Sequence, residues 1–139
     1  MAIKTPFQAR YGIQSRVVQY TDTTPITPNA DTTDIAIVLS LSQTTVIANP
    51  TVTSPFDGQL LQLRITSASS QSISFGTAYQ VASALAFPTA TTGGSSEDYI
   101  GFRYNANDSK WDLIACTIGA YPTASGVTTN LAIAYAIVL

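Results

Sequence analysis

Hydrophobic and polar residues alternate with a period of two along much of this chain. The alternation is clearest where Leu61, Leu63 and Ile65 are interleaved with Gln62 and Arg64. In an extended chain the three apolar side chains share one face and the two polar ones share the other. The pattern predicts a β-strand that buries one face.

Similar strand patterns recur at short intervals and are separated by turn residues. The predicted strands are Val17–Tyr20, Ile35–Leu41, Thr44–Ala48, Leu60–Ile65, Ile73–Phe75, Tyr99–Tyr104, Lys110–Ile118 and Leu131–Leu139. About eight or nine strands at this spacing predict an all-β fold, a single β-sandwich or jelly-roll-like domain. The Ala-rich segment Val81–Phe87 fits either an edge strand or a short helical turn.

Two turns are defined by their chemistry. Asp57-Gly58 follows a proline and supplies the left-handed position of a tight turn. Asn105–Ser109 has the length and polarity of a hairpin loop. In the strand Ile35–Leu41, the apolar face is predicted to comprise Ile35, Ile37, Leu39 and Leu41.

The last predicted strand is apolar on both faces. Large residues alternate with small ones along it, so that neither face suits contact with water. An exposed end strand of this kind would aggregate. Leu131–Leu139 is therefore expected either to lie centrally in its own sheet or to be covered by a neighbouring subunit, and the candidate subunit contacts are Ile133, Tyr135 and Ile137.

The first 16 residues differ from the rest of the chain. They carry three basic residues and no acidic one, whereas residues 17–139 carry three basic and eight acidic residues. Residues 1–16 are interpreted as an extended arm that lies on an acidic protein surface, ahead of a β-sandwich body at 17–139. The alternatives are a tail packed on its own domain and charges that only keep a loop solvated. The candidate contact residues are Lys4, Phe7, Arg10, Tyr11, Ile13 and Arg16.

The composition excludes several kinds of chemistry. Of the 139 residues only 10% are charged, none is histidine and one is cysteine, so Cys-His catalysis and an intrachain disulfide are excluded. The apolar neighbours of Cys116 predict a buried thiol. The acidic body lacks the basic footprint of a nucleic-acid-binding protein.

Carboxylate pairs offer the remaining candidates for catalysis or metal binding. Glu97 and Asp98 are adjacent in a strand and point to opposite faces, which makes them a poor acid–base pair. Asp108 is suited to capping its own loop. The segment Asp31–Asp34 fits a turn before a strand better than a calcium loop. We therefore expect no enzymatic activity, no metal and no cofactor.

Three aromatic residues allow two interpretations. Trp111, Tyr99 and Tyr104 could form a platform on which a sugar ring stacks. Alternatively, Trp111 lies opposite Tyr104 across the hairpin, and a cross-strand aromatic pair explains both residues. We favour the cross-strand pair.

No segment of the sequence reaches the ~20 apolar residues of a membrane span, and the start of the chain has no apolar signal-peptide stretch. The sequence therefore predicts a product that is made and assembled in a cytoplasm, without a membrane partner.

Five motifs, taken in order, resemble a small β-domain that recurs in the head, fibre and other virion proteins of tailed phages. They cover about 60–70% of the chain as an ordered set. The leader Pro6–Ile13 is similar to the start of some phage structural proteins. The five motifs are Ile47–Thr51, Asp57–Ile65, Ile73–Tyr79, Phe87–Thr89 and Tyr104–Asp112.

The resemblance implies a non-enzymatic virion component. A free-standing domain of this size resembles capsid decoration, or cement, proteins, which sit on the capsid surface as trimers and bind the major capsid protein. The implied assembly is thus a homotrimer on the virion shell, assembled in the host cytoplasm. The alternatives are a tail-fibre or tail-tip domain that recognises a host surface glycan, for which the long shaft is missing, and an accessory head or neck protein.

Overall fold

The computed structural model describes residues 14–119, which form eight β-strands. No helix occurs within that range. The predicted all-β class is confirmed, and the strands form a six-stranded mixed sheet and a separate two-stranded sheet. The strands are β1 (Val17–Tyr20), β2 (Ile35–Val38), β3 (Thr45–Ile47), β4 (Leu60–Thr66), β5 (Ile73–Phe75), β6 (Tyr79–Gln80), β7 (Glu97–Asn105) and β8 (Lys110–Thr117).

The chain passes repeatedly between the two sheets from β1 to β5. In the large sheet β1, β2 and β4 pair in parallel, and in the small sheet β3 pairs in parallel with β5. An isolated parallel bridge from Ile26 to Ile47 extends the small sheet by one position. The chain therefore makes three successive coils between two layers, and loops supply the crossovers that parallel pairing requires. We call residues 17–75 the coiled region.

The last two strands form an antiparallel hairpin. β7 pairs with β4 on one side and with β8 on the other. A bulge interrupts the β7–β8 pairing, because Gly101 pairs with Ala115 but Phe102 pairs with Leu113, which leaves Ile114 as the extra residue. We call residues 97–117 the hairpin region. Strand β6 pairs with the outer edge of β8 and completes the sheet order β1-β2-β4-β7-β8-β6.

One hydrophobic core joins the two layers. Buried residues of the small-sheet layer, such as Ile47 and Ile73, belong to the same cluster as Leu63 and Ile100 of the large sheet. An aromatic group ties the coiled region to the hairpin region: the ring centroid of Phe102 lies 4.6 Å from that of Tyr79 and 5.7 Å from that of Phe75. The regions therefore share a core.

Most strand predictions are confirmed within a residue or two, and the inward face of β4 is Leu61, Leu63 and Ile65 as expected. The prediction for the second strand is wrong in its facing and its length. Strand β2 ends at Val38, and it is Ala36 and Val38 that are fully buried.

The reversal in β2 has a local cause. Ser40 adopts a left-handed conformation with φ 58°, which ends the strand and resets the alternation. Leu41 is consequently buried, although it follows two exposed residues, and Leu39 is 44% exposed. Because both faces of this strand are apolar, the sequence pattern alone favoured the wrong one.

Of the two conformations considered for Val81–Phe87, an edge strand and a short helical turn, the structure has a turn. Residues 81–87 form no strand, and their one backbone hydrogen bond given by the structure closes a turn from Leu85 N–H to the Ala82 carbonyl. The predicted strand Leu131–Leu139, with its candidate subunit contacts, lies outside the described residues, as does most of the predicted arm.

Candidate protein-contact surface

Of the six candidate contact residues in the predicted arm, Arg16 is the one that the structure describes, and it is held within the chain. Its Nη2 and Nε atoms donate to the two carboxylate oxygens of Asp34 at 2.6 and 3.1 Å. Its backbone N–H donates to Asp34 Oδ2 at 2.8 Å, and Nη1 donates to the carbonyl oxygen of Asp31. This bidentate clamp fixes the point at which the chain enters the body.

The clamp has an electrostatic signature on both partners. The hydrogen bonds from Arg16 lower the pKa of the Asp34 carboxyl below its ordinary value, and the bond to Asp34 raises the pKa of the guanidinium. The Arg16 side chain is 46% exposed, so its ion pair is screened by water. The residue thus orients the root of the leader more than it stabilises the fold. Its predicted contact with a partner remains a prediction.

A concavity of about 300 Å³ lies beside this root. Its lining includes Gln14 and Ser15, which precede the clamp, and Phe56 and Leu60 from the turn and strand opposite. The two hydrophobic side chains are 64% and 54% exposed. We call this concavity, with the Arg16–Asp34 clamp, the arm-root surface. An exposed apolar patch with a basic segment departing from its edge has the composition of a protein-contact surface.

The turn below this surface is built as predicted and carries more contacts than its sequence suggested. Gly58 has φ +82°, the left-handed conformation expected for it. Its N–H donates to the Tyr104 carbonyl at 2.8 Å, and the Tyr104 N–H donates to the Gln59 carbonyl at the same distance. The buried Gln59 side chain donates to the Ala30 carbonyl at 2.9 Å. The turn therefore joins the coiled region to the hairpin region.

A second joint connects two other motifs that carry the resemblance. Asn49 Oδ1 accepts the Ala78 N–H at 2.8 Å, and the Tyr79 hydroxyl donates to the Ala48 carbonyl at 3.1 Å. A Cβ placed on Gly76 would lie 2.3 Å from Asn49 Oδ1, so glycine lets the two segments approach. These motif residues hold segments of the fold together. In the sequence, these residues are recognisable only as motifs of the virion-domain resemblance, which does not predict the hydrogen bonds between them.

The candidate acid–base pair is not assembled. Asp98 is fully buried and accepts hydrogen bonds from the backbone N–H and hydroxyl of Thr92. Glu97 points to the other face and accepts the Tyr99 hydroxyl at 2.8 Å. This hydrogen bond raises the pKa of the Tyr99 phenol. The expected opposite facing of the two carboxylates is confirmed.

The two carboxylates at the hairpin loop, Asp108 and Asp112, are engaged by neutral side chains. Asp108 and Asp112 are bridged by the side-chain amides of Gln80 and Asn105, with Asn105 Nδ2 3.1 Å from an oxygen of each. Asp108 was expected to accept local backbone N–H groups, but its hydrogen bonds come from these side-chain amides. Among residues 14–119, no group of three or more potential metal ligands lies close enough to hold an ion.

The turn Asp31–Asp34 uses its two carboxylates separately. Asp31 accepts the hydroxyl and backbone N–H of Thr53, at 2.7 Å from the hydroxyl, and the hydroxyl bond lowers the pKa of the Asp31 carboxyl. Asp34 binds Arg16 immediately before β2. This geometry supports the interpretation of Asp31–Asp34 as a turn before a strand and not as a calcium loop.

The sugar platform is not formed by the three aromatic residues proposed for it. Trp111 is 2% exposed, and its ring lies 5.3 Å from that of Tyr104 at an interplanar angle of 61°. The two residues are direct cross-strand partners, which confirms the favoured interpretation. Tyr99 lies on the opposite face of β7 from Tyr104, as the burial pattern of that strand shows.

The thiol prediction is wrong. Cys116 is exposed, although it pairs with the fully buried Ile100 across the hairpin. Strand β6 reaches only Trp111 and Asp112 on the outer edge of β8, so the end of β8 at Cys116 lies past that cover. The apolar sequence around the cysteine indicated a hydrophobic neighbourhood, but within residues 14–119 the last four residues of β8 are all exposed, and the local sequence does not reveal this lack of packing.

No family model matches the chain, and comparison with curated proteins and with solved structures gives no significant match. Residues 14–119 contain no helix that is long and apolar enough to cross a membrane. The interpretation of the arm-root surface therefore depends on its own geometry.

Proposed function

We propose that this protein is a non-enzymatic structural component of a tailed-phage virion, a capsid decoration (cement) protein that binds the shell of major capsid protein. The ordered virion-domain motifs support this class. Their residues form joints of the fold at Asn49 and at Gly58, which is what a shared scaffold would retain. Surfaces that give this protein its own binding partner are therefore expected outside these shared joints.

The arm-root surface is the observation that carries the proposal. The clamp between Arg16 and Asp34 fixes where residues 1–13 depart, beside the exposed side chains of Phe56 and Leu60. The departing segment supplies Lys4 and Arg10 as charges and Phe7, Tyr11 and Ile13 as apolar contacts. A basic, apolar arm and an adjacent apolar patch suit an acidic protein surface.

The mechanism is adhesion without any bond-making step. Each contact of ~800 Å² per partner is modest, but repetition over a symmetric shell makes the total stabilisation large. The protein acts as a homotrimer in this proposal, with Ile133, Tyr135 and Ile137 as subunit contacts, on the capsid surface and without cofactor or metal.

Removal of residues 1–13, with Arg16 retained, tests the arm. We expect at least a tenfold loss of binding to capsid shells stripped of this protein, measured by co-sedimentation, with Trp111 fluorescence and the melting temperature unchanged.

Phe56→Ala is expected to weaken binding to a lesser extent, because it removes one apolar contact. The matched control is Leu85→Ala, which changes a side chain of similar exposure, 50%, outside the arm-root surface. Undiminished binding by the truncated protein would refute the arm as the capsid contact.

Copy number in purified virions tests the location separately. Quantitative mass spectrometry is expected to give hundreds of copies per particle, as a shell-covering protein requires. A few copies per particle would replace the proposal by the tail-tip alternative, and absence from mature virions would end both.

A further inference from the structure

The outer edge of β8 is only partly covered by the part of the chain that the structure describes. Strand β6 supplies two parallel partners, Tyr79 for Trp111 and Gln80 for Asp112, and then departs. A concavity of about 370 Å³ opens where β6 leaves, lined by Val81 among others. Between Leu113 and Cys116, no strand among the described residues pairs with this edge. We call Leu113–Cys116 the open edge.

The open edge is apolar. Ile114 is 57% exposed, Cys116 is exposed, and Ile118 just beyond the strand is 38% exposed. Natural sheet edges are usually protected by charged residues, proline or very short strands, because an uncovered apolar edge pairs with other chains. This edge has no charged residue between Leu113 and Ile118. The bulge at Ile114 is its one protective feature among those residues. Such an edge needs a partner strand.

We infer that the segment Leu131–Leu139 of the same chain adds to this edge as an antiparallel strand. The described chain ends at Gly119, two residues past β8, so the continuing chain starts beside the edge it would cover. Residues 118–130 are long enough to return along the strand and contain Gly119, Pro122 and Gly126, which favour turns. Nine extended residues span about 30 Å, which is more than the open edge requires.

The composition of Leu131–Leu139 matches this position. The segment is uncharged and apolar on both faces, so it suits a strand that is covered and not one left in water. Pairing would satisfy the backbone groups of both strands, which simple packing of a lone strand on the sheet face would not do. A tethered segment acts at an effective concentration near the millimolar range, so its own edge is favoured over that of another molecule. This inference does not depend on the capsid proposal, and it replaces the subunit-contact role given there to Ile133, Tyr135 and Ile137 by pairing within the chain.

Cross-linking to the single cysteine tests the inference in the full-length protein. Ala134→Cys and Tyr135→Cys introduce one cysteine on each face of the predicted strand, and a short bismaleimide reports proximity to Cys116. We expect an intramolecular product from one variant at several times the yield of the other, because neighbouring residues of a strand point to opposite sides. The same variants carrying Cys116→Ser are the controls and should give none.

The opposing results are equally defined. Equal low yields for both variants would overturn the inference. Products that join two chains in dilute solution would also overturn it, because a second copy of the protein would then cover the open edge. Hydrogen exchange is an independent measurement on the unmodified chain. The amides of the open edge should exchange at least tenfold more slowly than in a chain ending at Asn130, and fast exchange in the full chain would also overturn the inference. If the shortened chain does not fold, the cross-linking result decides. All of these experiments use purified protein, so failure of capsid binding leaves them unaffected.

Discussion

The coiled region and the hairpin region are built from similar strands but are stabilised over different distances along the chain. In the hairpin region, Tyr104 and Trp111 are seven residues apart and pair directly across a short loop. In the coiled region, Val17 pairs with Ile35, and Ile35 pairs with Gln62. The first arrangement is local, whereas the second requires each coil to close before its strands meet.

The difference also determines which interactions each region needs. The hairpin is held by antiparallel pairing along both strands, with one bulge, and by an aromatic pair. The coils depend more on side chains that fasten one crossover to the next, such as Asn49 to Ala78 and Asp31 to Thr53. Hydrogen bonds from loop side chains therefore add to the hydrophobic core in the parallel half, whereas direct cross-strand pairs add to it in the antiparallel half.

The largest expected effect comes from breaking the core that the two regions share. Phe102 is 1% exposed and contacts Phe75 and Tyr79, so Phe102→Ala should lower the free energy of unfolding by about 3–5 kcal/mol. Urea denaturation followed by Trp111 fluorescence measures this loss. Phe56→Ala is the matched control, because Phe56 is 64% exposed and should cost less than about 0.5 kcal/mol.

The same experiment tests whether the regions unfold together. Because they share one core, amide exchange in the coiled region should show the same midpoint as Trp111 fluorescence in the hairpin region. Separate midpoints would mean that the hairpin is an independent folding unit.

A smaller effect is expected at the loop that packs on the turn after β4. Gly93 has φ +82°, and a Cβ there would lie 2.7 Å from the Ser70 backbone nitrogen. Gly93→Ala should therefore destabilise the protein by about 2 kcal/mol in thermal or urea unfolding. Gly94 also has positive φ, but a Cβ at that position would meet no atom within 4 Å, so Gly94→Ala should cost less. Equal losses would show that backbone conformation alone, without crowding, sets the cost.

The smallest effect concerns acid sensitivity of the coiled region. The hydrogen bond from Arg16 lowers the pKa of Asp34, and that from the Ser42 hydroxyl lowers the pKa of Asp22. A carboxyl whose folded-state pKa is depressed stabilises the fold above its unfolded pKa, and this contribution is lost as the pH falls through the folded value. Asp34→Asn should therefore cost under about 1 kcal/mol at pH 7, since the pair is partly exposed, and almost nothing near pH 2.

Urea unfolding of both proteins at several pH values measures this difference. Arg103→Gln removes an exposed cation of the hairpin region and serves as the control, with no comparable convergence at low pH expected. A pH-independent cost of Asp34→Asn would show that its carboxylate charge contributes nothing to the clamp.

Much of the local structure could be predicted from the residues because its causes are local. Alternation located β4 and β7, Asp57-Gly58 located a turn, and the hairpin loop brought Trp111 opposite Tyr104. The errors share a different origin. The buried face of β2 depended on the backbone at Ser40, and the exposure of Cys116 depended on the absence, among the described residues, of packing over the end of β8.

The candidate site was anticipated in part. Residue types identified the first 16 residues as basic and dotted with apolar side chains, but nothing in the sequence paired Arg16 with Asp34 or placed Phe56 beside the root of the leader. Both relations join residues that are far apart in the chain. Periodicity carries no information about such distances.

The amino-acid sequence by itself determined the all-β class, most strand positions and the hairpin, since alternation and turn chemistry act over a few residues. The tertiary structure decided the parallel order of β1, β2 and β4, the division into two sheets and the open edge of β8. Parallel partners are chosen by how crossovers close and cores fill, and these depend on contacts between residues that no local pattern relates.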